Sequence, residues 1–422
     1  MGFQNLFDDP LFGDHCPLVL RWSDDQLERV VEILAPLLPD TLTDRMRFAA
    51  AAIARSIVTE KKITGGGVHY PRGKDPYSRP KRYRDGDPLY TWHYVTHAMD
   101  ALQGAGLIDH TLGRWYPNHR GWQSVACATE RLMSLVGPLV DASERRGISK
   151  RVETIVLRDR ADQTEVDYVD TADTVAMREQ VRFLNDHLAQ LYLRHRGQKF
   201  DIPIGRRIFN ESFDRGGRFY CHGTSFQNMR AEQRCELELI VDGAAHPMVE
   251  VDYCNLHITM AYSEAGEPIP DGDQYIIGQF DRALVKIAVN TLFNASSVTS
   301  GILAITEELR DLPELRAASG IESSNRKPCR ALAERVVIAI QQQHHRIDKY
   351  FGSDCGARFQ RQDSDMAIDV MTRMVQITGR CPLPVHDSFL VPQMDTDILS
   401  RTMIEVAENY GLKLELKHSG GG

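Results

Sequence analysis

Two short acidic motifs in the C-terminal half most constrain what this chain can fold into. The first is Val249-Glu250-Val251-Asp252-Tyr253, and the second is Leu383-Pro384-Val385-His386-Asp387-Ser388-Phe389. Each places an aspartate beside an apolar run that predicts a buried strand. Aspartates from two distant strands can share a pair of divalent ions. A nucleotidyl-transfer site needs such a pair, because one ion activates the attacking hydroxyl and the other steadies the leaving pyrophosphate. Either motif alone is also compatible with an aspartate that only ends a strand or starts a turn.

The basic residues are unevenly distributed. The net charge of −8 argues weakly against nucleic-acid binding. However, residues 61–120 carry ten Lys or Arg against five Asp or Glu, and residues 191–234 carry nine against four. Two basic stretches in an acidic protein are compatible with a track for a polyanion. The alternative is that both are solvated faces, which is the usual fate of a charge run.

Length and cysteine usage predict an ordinary globular protein of two or three domains. No apolar run reaches the roughly 18 residues that would predict a membrane span. The N-terminus lacks the basic and apolar regions of a secretory signal. The eight cysteines are scattered, and none forms a CxxC pair or a Cys/His pair at zinc spacing. We therefore expect reduced thiols, a cytoplasmic protein and no membrane partner.

Residues 1–145 are predicted to form a mostly helical domain. The predicted segments are helices at 24–37, 43–58, 90–104 and 123–141, and a basic loop at 59–89. Together with Gly106-Leu107-Ile108 and a following hairpin, this order resembles the winged-helix domains of plasmid replication initiators. The resemblance implies that helix 90–104 enters the major groove and that Arg114, His119 and Arg120 approach phosphates. A helical subdomain without DNA contact and a protein-interaction module are the alternatives.

Residues 146–199 are predicted to be a connector or a thumb-like segment. Two short strands are expected at Val152–Leu157 and Thr164–Val169. Asp170-Thr171-Ala172-Asp173 then supplies capping residues for a long helix that runs to about Arg196.

From about residue 200 onward, polar elements follow one another in a specific order. Arg218 ends a Gly-Gly-Arg turn, a Gln-Asn pair follows, and an arginine precedes the apolar run that leads to Asp252. This series resembles the start of the palm in family A DNA polymerases. The resemblance implies nucleic-acid contacts near the active site for Arg218, Gln227, Asn228 and Arg234.

Arg282 and Lys286 lie four residues apart in a predicted helix, so their side chains share one face. Such a face can grip a triphosphate without a Gly-rich loop, or it can be a solvated basic pair. The segment resembles the O helix of the fingers in family A. The resemblance implies that both residues bind the incoming nucleotide's phosphates and that Lys286 protonates the leaving group. Asn290 and Asn294 stand one and two turns later, where the family often has bulky residues, and are expected to face the nucleotide. Phe293 lies one position early.

Two further elements complete the order. Gln360 opens a predicted helix and resembles the family's glutamine that binds near the template–primer junction. The His386-Asp387 dipeptide resembles the third motif of the family, a β-hairpin, and is followed by Ser-Phe as in the single-subunit phage RNA polymerases. His386 is accordingly expected to contact nucleic acid. The whole layout is most similar to a compact branch of the family that transposons and viruses carry.

The resemblance implies an α+β fold of the right-hand polymerase type, with an antiparallel palm sheet and helical fingers. The palm would occupy residues 200–269 and 351–422, and the fingers residues 270–350. DNA primer–template, nucleoside triphosphates and other replication or mobile-element proteins are the expected partners. Proofreading is expected to be absent.

The resemblance also implies a metal site. Asp252 and Asp387, with the backbone carbonyl of Tyr253, are expected to hold two Mg²⁺ ions, for which Mn²⁺ can substitute.

His257 bears on the choice of sugar. The family's DNA polymerases have a Glu at this position that blocks the ribose 2′-hydroxyl, and the RNA polymerases have a small residue. The bulky His257 favours deoxynucleotides, so we expect a DNA-dependent DNA polymerase. An RNA polymerase or primase of the same fold is one alternative. The other is a non-catalytic replication initiator that binds an origin through its winged helix.

Overall fold

The structure is a computed structural model. It describes residues 16–18, 20, 24–74, 77–78, 80–84, 89–113, 123–140, 152–200, 202–221 and 226–420. The described chain is a mixed α+β protein whose sheets are mainly antiparallel, as the α+β prediction requires. The predicted wing residues Arg114, His119 and Arg120 lie outside the described residues. Within the described ranges, no helix is both long enough and apolar enough to cross a membrane.

The helices and strands of the described chain are these. In chain order the helices are α1 (Asp24–Leu34), α2 (Asp44–Thr64), α3 (Lys81–Arg84), α4 (Trp92–Gly104), α5 (Glu130–Val136), α6 (Ala172–Leu188), α7 (Ala231–Arg234), α8 (Leu256–Ala265), α9 (Arg282–Asn294), α10 (Val298–Asp311), α11 (Pro313–Ala318), α12 (Arg326–Gln343), α13 (Gly356–Thr378) and α14 (Thr396–Asn409). The strands are β1 (Cys16–Pro17), β2 (Val68–Tyr70), β3 (Ile108–Thr111), β4 (Ser124–Ala128), β5 (Ile155–Arg158), β6 (Glu165–Val166), β7 (Leu193–His195), β8 (Gln198–Phe200), β9 (Gly205–Asn210), β10 (Ser212–Cys221), β11 (Leu237–Val241), β12 (Ala244–Tyr253), β13 (Leu383–Val385), β14 (Ser388–Pro392) and β15 (Leu416–Ser419).

The described residues divide into two compact units. The first unit holds the described residues up to Thr154 together with Glu165–Val169. The second unit holds Ile155–Thr164, Asp170–Cys221 and residues 226–420.

In the first unit, helices pack on a sheet whose described strands follow the order β1-β2-β4-β3. Helix α2 lies deepest, because every residue from Ala49 to Glu60 is buried and the small alanines let neighbouring elements approach. The hydroxyl of Thr43 caps the start of α2 by accepting a hydrogen bond from the Met46 backbone. Thr91 and Thr129 begin α4 and α5 in the same way.

Two predictions for this unit are wrong. Residues 123–141 are not one helix, because Ser124–Ala128 form β4 between β2 and β3 and only the following turns are helical. Alanine and serine do not favour a strand intrinsically, so pairing with two neighbours decides its conformation. The predicted loop 59–89 is also partly regular, since α2 continues to Thr64 and β2 follows.

The second unit contains two sheets. Strands β10 and β9 pair antiparallel, and β9 pairs parallel with β5. The larger sheet runs β13-β14-β12-β11-β7-β8, with β15 also paired to β12. The helix predicted to reach Arg196 ends earlier, because α6 stops at Leu188 and Leu193–His195 form β7 on β11. The flanking strands are shorter than predicted, at Ile155–Arg158 and Glu165–Val166.

Strand β12 is the central element of the larger sheet. Its first residues pair with β11, whereas residues 248–252 pair with β14 and residues 250–253 pair with β15. The end of β12, where the first acidic motif lies, is therefore held between two antiparallel neighbours.

Candidate active site

Asp252 and Asp387 lie on neighbouring strands. Asp252 is directly opposite Ser388, the residue that follows Asp387, across the β12–β14 ladder. The Tyr253 amide donates to the Asp387 carbonyl at 3.4 Å. Asp387 sits in the tight turn between β13 and β14, where His386 adopts a left-handed φ of +62°. The strand pairing thus brings the two acidic motifs of the sequence together.

Asp252 and Asp387 are two like charges close enough to affect each other. Burial, followed by the nearby Asp387 carboxylate, raises the pKa of Asp252 to about 7. The ammonium groups of Lys286 and Lys417 act in the opposite direction and favour its charge. Asp252 is thus a half-buried carboxylate beside a second one. A bound cation would offset the repulsion between these two charges.

These oxygens fit Mg²⁺ better than a softer ion. Mg²⁺ takes oxygen ligands, and it is commonly held by one or two carboxylates while substrate phosphates and water complete the octahedron. The Tyr253 phenol donates to the Met403 carbonyl at 2.6 Å inside the core. Its backbone carbonyl is therefore the Tyr253 oxygen that remains for a metal. Within the described ranges, no group of three or more His, Cys, Asp or Glu side chains forms a metal site.

Helix α9 presents the predicted basic face. Asp281 caps it by accepting hydrogen bonds from the amides of Ala283 and Leu284. The apolar side of the helix is buried, while Arg282 and Lys286 are exposed on the other side. Lys286 lies within electrostatic range of Asp252, as its effect on that carboxylate shows.

Two residues of the segment before α9 also belong to this region, and the sequence did not point to them. Asp273 accepts a hydrogen bond from Arg282 Nε at 2.6 Å. Tyr275 is buried, and the Arg282 guanidinium lies 5.5 Å from its ring centroid. Burial, and then Asp387, raise the pKa of Tyr275 to about 12, so this phenol stays protonated near the aspartates. The sequence alone does not place Asp273 and Tyr275 in this region, because their positions depend on how the segment before α9 folds.

Arg218 and His257 converge on one buried acid, Asp363 of α13. Arg218 Nη2 and His257 Nε2 approach the same oxygen, Asp363 Oδ2, at 2.6 and 2.7 Å. The Asp363 side chain is 1% exposed. Burial opposes its charge, but the His257 hydrogen bond and the Arg218 charge hold the pKa of Asp363 below its usual range. A three-residue network therefore joins β10, α8 and α13.

The Gly-Gly-Arg turn is a bulge in β10. The pairing of β10 with β9 shifts register between Gly216 and Arg218. Gly216 and Gly217 have φ values of +75° and +84°, and a Cβ on Gly217 would lie 2.5 Å from the Phe209 ring. Such a bulge re-aims the following side chain. It explains why two glycines precede the arginine that reaches Asp363.

The Gln227 amide is engaged with the backbone. Its oxygen accepts from the Cys221 amide at 2.8 Å, and its nitrogen donates to the carbonyls of Phe219 and Pro384 at 2.9 and 2.8 Å. It therefore ties the end of β10 to β13, the strand before the His-Asp turn. The neighbouring Asn228 is exposed.

Arg234 pairs with Glu250, which lies two residues before Asp252 on β12. Its guanidinium makes two 2.9 Å hydrogen bonds to the buried Glu250 carboxylate of β12. Glu250 also accepts from the Ser388 hydroxyl at 2.6 Å. Arg234 therefore braces the pairing of β12 with β14.

His386 has a buried polar atom without a partner. Within the described part of the chain, its Nδ1 has no hydrogen-bond partner, although it is buried. Burial, and then the Arg218 charge, lower the pKa of His386, which keeps the ring neutral near pH 7. The ring packs edge-on against Tyr220 with centroids 5.6 Å apart. A buried nitrogen that has no partner in the described chain and is adjacent in sequence to Asp387 is a candidate contact for a ligand.

The remaining predicted residues lie at the start of α13 and the end of α9. Gln360 is half-buried, and Asn290 and Asn294 are exposed. The Asn294 amide donates to the Asn290 carbonyl at 2.8 Å. Phe293 is buried, and its ring centroid lies 5.4 Å from that of Phe351, in the core.

The residues that the sequence missed differ in how well they were signalled. Asp363 follows Gln360 by three positions, so helical spacing alone places them on one face. The alternation of Leu412, Leu414 and Leu416 with polar residues predicts a strand that includes Lys417. In neither case does the sequence name the partner across the fold.

Comparison with known proteins gives little help with function. No protein-family model and no curated protein matches the chain. Among solved structures, the chain is similar to the POL domain of Pol1 from M. smegmatis in complex with DNA primer-template and dNTP. The TM-score is 0.30 and the identity 14%, over 96% of this chain and 67% of that one. The function of the chain is therefore inferred from the geometry of the site itself.

Proposed function

We propose that this protein is a template-directed nucleotidyl transferase, and specifically a DNA-dependent DNA polymerase without proofreading that serves a mobile element. The observation that carries the proposal is the placement of Asp252 beside Asp387, with Lys286 from the basic face of α9 in electrostatic range of Asp252. Two carboxylates and a lysine–arginine face are what a metal-dependent reaction on a triphosphate needs. In this proposal β12, β13 and β14 belong to the palm, and α9 to α12 form the fingers.

Asp252 and Asp387 would hold one or two Mg²⁺ ions, with the Tyr253 carbonyl and substrate oxygens completing the coordination. When bound, the ions would polarise the attacking hydroxyl and the phosphate oxygens. Lys286 and Arg282 would neutralise the triphosphate and orient it, and Lys286 would donate a proton to the departing pyrophosphate. Positioning and fixed charge then account for catalysis.

Nucleic acid would approach along residues of β10, α13 and the His-Asp turn. Candidate contacts for such a ligand are the His386 Nδ1, which has no partner among the described residues, and the half-buried Gln360. Arg218 would act from its fixed place beside Asp363. Gln227 and Arg234 would act through the strands that they brace.

The first unit is proposed to bind duplex DNA as a winged-helix-like module. Its order α2-β2-α3-α4-β3-β4, with β2 and β3 both paired to β4, supports this assignment. Helix α4 buries Val95 and Met99 and exposes His93 and His97 on its other side. Weaker duplex binding by His93→Ala/His97→Ala, measured by fluorescence anisotropy, is the expected result. Unchanged binding would remove α4 from the interface.

Primer extension tests the proposed activity. Wild-type protein with a labelled primer–template, Mg²⁺ and dNTPs is expected to extend the primer. Asp252→Asn and Asp387→Asn are each expected to reduce extension by about a thousandfold or more. Asp311→Asn, an exposed aspartate at the end of α10, serves as the matched control and should retain full activity. Extension by both active-site variants at the wild-type rate would refute the assignment.

Parallel reactions with rNTPs, with and without a primer, separate a DNA polymerase from an RNA polymerase or primase. His257 follows Asp252 by five residues, in the first turn of α8. Because its side chain is bulky, dNTPs are expected to be the preferred substrates. His257→Gly is expected to raise the use of rNTPs. Unprimed synthesis from rNTPs would instead establish the primase alternative.

A further inference from the structure

We propose that Asp363 is the positioning residue for sugar discrimination, acting through His257. The inference rests on the proposed function and adds a residue that no sequence motif singled out. Its basis is that one buried carboxylate anchors both His257, five residues after Asp252 in the chain, and Arg218, on the bulged strand.

Asp363 and Phe359 restrict the His257 ring. His257 belongs to the first turn of α8, which begins immediately after the turn that follows Asp252. Its Nε2 bonds to Asp363 at 2.7 Å, and its ring lies 6.0 Å from that of Phe359. An imidazole held at its far nitrogen and supported along one side by an aromatic ring has little freedom to turn. A bulky side chain can exclude a 2′-hydroxyl only if it stays in place, so the anchor matters as much as the bulk.

Contacts with β9 and β10 fix the position of Asp363, the residue that anchors His257. Asp363 lies on α13, where the neighbouring Ser364 and Asp365 both bond to Arg207, a fully buried arginine of β9. Arg207 also donates to the Gly217 carbonyl at 2.7 Å, inside the bulge that aims Arg218. The Asp363 carboxylate is therefore fixed by the packing of α13 on β9 and β10. Its position does not depend on a mobile loop.

Loss of the Asp363 carboxylate would affect both of its partners. His257 and Arg218 share the Asp363 Oδ2 atom. Arg218 in turn lies within electrostatic range of Asp387. Replacing Asp363 is therefore expected to free the His257 ring. The lost restraint on the ring should appear as a lower preference for dNTPs over rNTPs.

The test compares kcat/KM for a dNTP and for the matching rNTP in single-nucleotide incorporation. Asp363→Asn is expected to lower the dNTP/rNTP ratio by about tenfold or more, because the charge that holds the ring is lost. His257→Gln keeps a donor toward Asp363 and should preserve more of the ratio than His257→Leu, which has similar bulk and no donor. The two His257 variants leave the buried acid intact, so they keep the inference testable if Asp363→Asn does not fold.

A double variant separates positioning from general damage. If Asp363 acts through His257, then Asp363→Asn in the His257→Leu background causes no further fall in the ratio. An equal fall in both backgrounds would overturn the inference, as would a wild-type ratio in folded Asp363→Asn. Equal ratios for His257→Gln and His257→Leu would do the same. Absence of any incorporation by wild-type protein would instead refute the proposed function, and this inference with it.

Discussion

Asp252 and Lys417 face each other across an antiparallel strand pair. Asp252 of β12 is in register with Lys417 of β15, on the side of β12 opposite to β14. Directly opposed residues lie on the same face of a sheet with Cβ atoms about 5 Å apart. The Lys417 ammonium accordingly favours the ionised form of Asp252. The candidate active site thus contains a second lysine besides that of α9.

Replacing Lys417 by Met should slow nucleotide incorporation. The substitution keeps the apolar stem and removes the charge that faces Asp252, so kcat is expected to fall about tenfold, equivalent to about 1.4 kcal/mol. Lys413→Met, at an exposed lysine just before β15, is the matched control. Equal kcat values for the two variants, measured by rapid-quench incorporation, would show that Lys417 has no part in the reaction.

Gly217→Ala should destabilise the protein more than Gly243→Ala. Both glycines have left-handed φ values, +84° and +82°, so both substitutions carry the backbone penalty of about 1–2 kcal/mol. Only Gly217 has a neighbour, since its added Cβ would meet the Phe209 ring at 2.5 Å, whereas Gly243 has open space. The expected difference in the free energy of unfolding is about 1–3 kcal/mol, measured in urea. Equal losses would argue against the described bulge.

Asp363 should make the protein's stability depend on acid pH. Its folded-state pKa lies below the usual value, mainly because the His257 hydrogen bond and the Arg218 charge outweigh burial. The stabilisation is therefore complete above the unfolded-state pKa of about 3.9, and it is lost as the pH falls through the folded-state value. Asp363→Asn is expected to cost about 3–5 kcal/mol at pH 7, since it removes the negative charge that the largely buried Arg218 guanidinium pairs with.

Urea unfolding across pH tests this sign. The stability difference between wild type and Asp363→Asn should narrow as the pH falls below about 4, where the Asp363 carboxylate takes up a proton. A difference that widens as the pH falls below about 4 would contradict the assignment.

Arg234→Met should cost far more stability than Arg196→Met. Arg234 pairs with the nearly buried Glu250, and removing it leaves a buried carboxylate unpaired, at about 3–5 kcal/mol. Arg196 pairs with Glu236 at the surface, where solvent screening leaves such a pair with little effect on stability. Comparable losses in thermal or urea unfolding would mean that Arg234 does not brace the strand pair.

The sequence predicted best where local pattern and final environment agree. The apolar runs beside Asp252 and Asp387 form the predicted strands, and the four-residue spacing of Arg282 and Lys286 gives one exposed helix face. Local pattern failed where pairing overrides propensity. The small residues of β4 are compatible with a helix in isolation, and they form a strand because β2 and β3 flank them.

The charge network of the site was hidden for a different reason. Nothing within a few residues of Asp363 identifies Arg218 or His257 as its partners, which approach from β10 and α8. The same holds for Lys417, whose position opposite Asp252 depends on the register of β15. Ion pairs between residues far apart in sequence follow from the assembled fold, and periodicity cannot specify them.

The position of β15 also has a consequence for the order of assembly. This strand docks beside β12 through residues 416–419, far along the chain from the Asp252 that it flanks. Contacts of such long sequence separation close a large loop, which costs conformational entropy before the contacts themselves stabilise the fold. A ribosome-bound chain that has emerged only through Asp387 would therefore possess both aspartates without a complete site. Catalytic competence is accordingly expected to report on completed folding rather than on the presence of the acidic motifs.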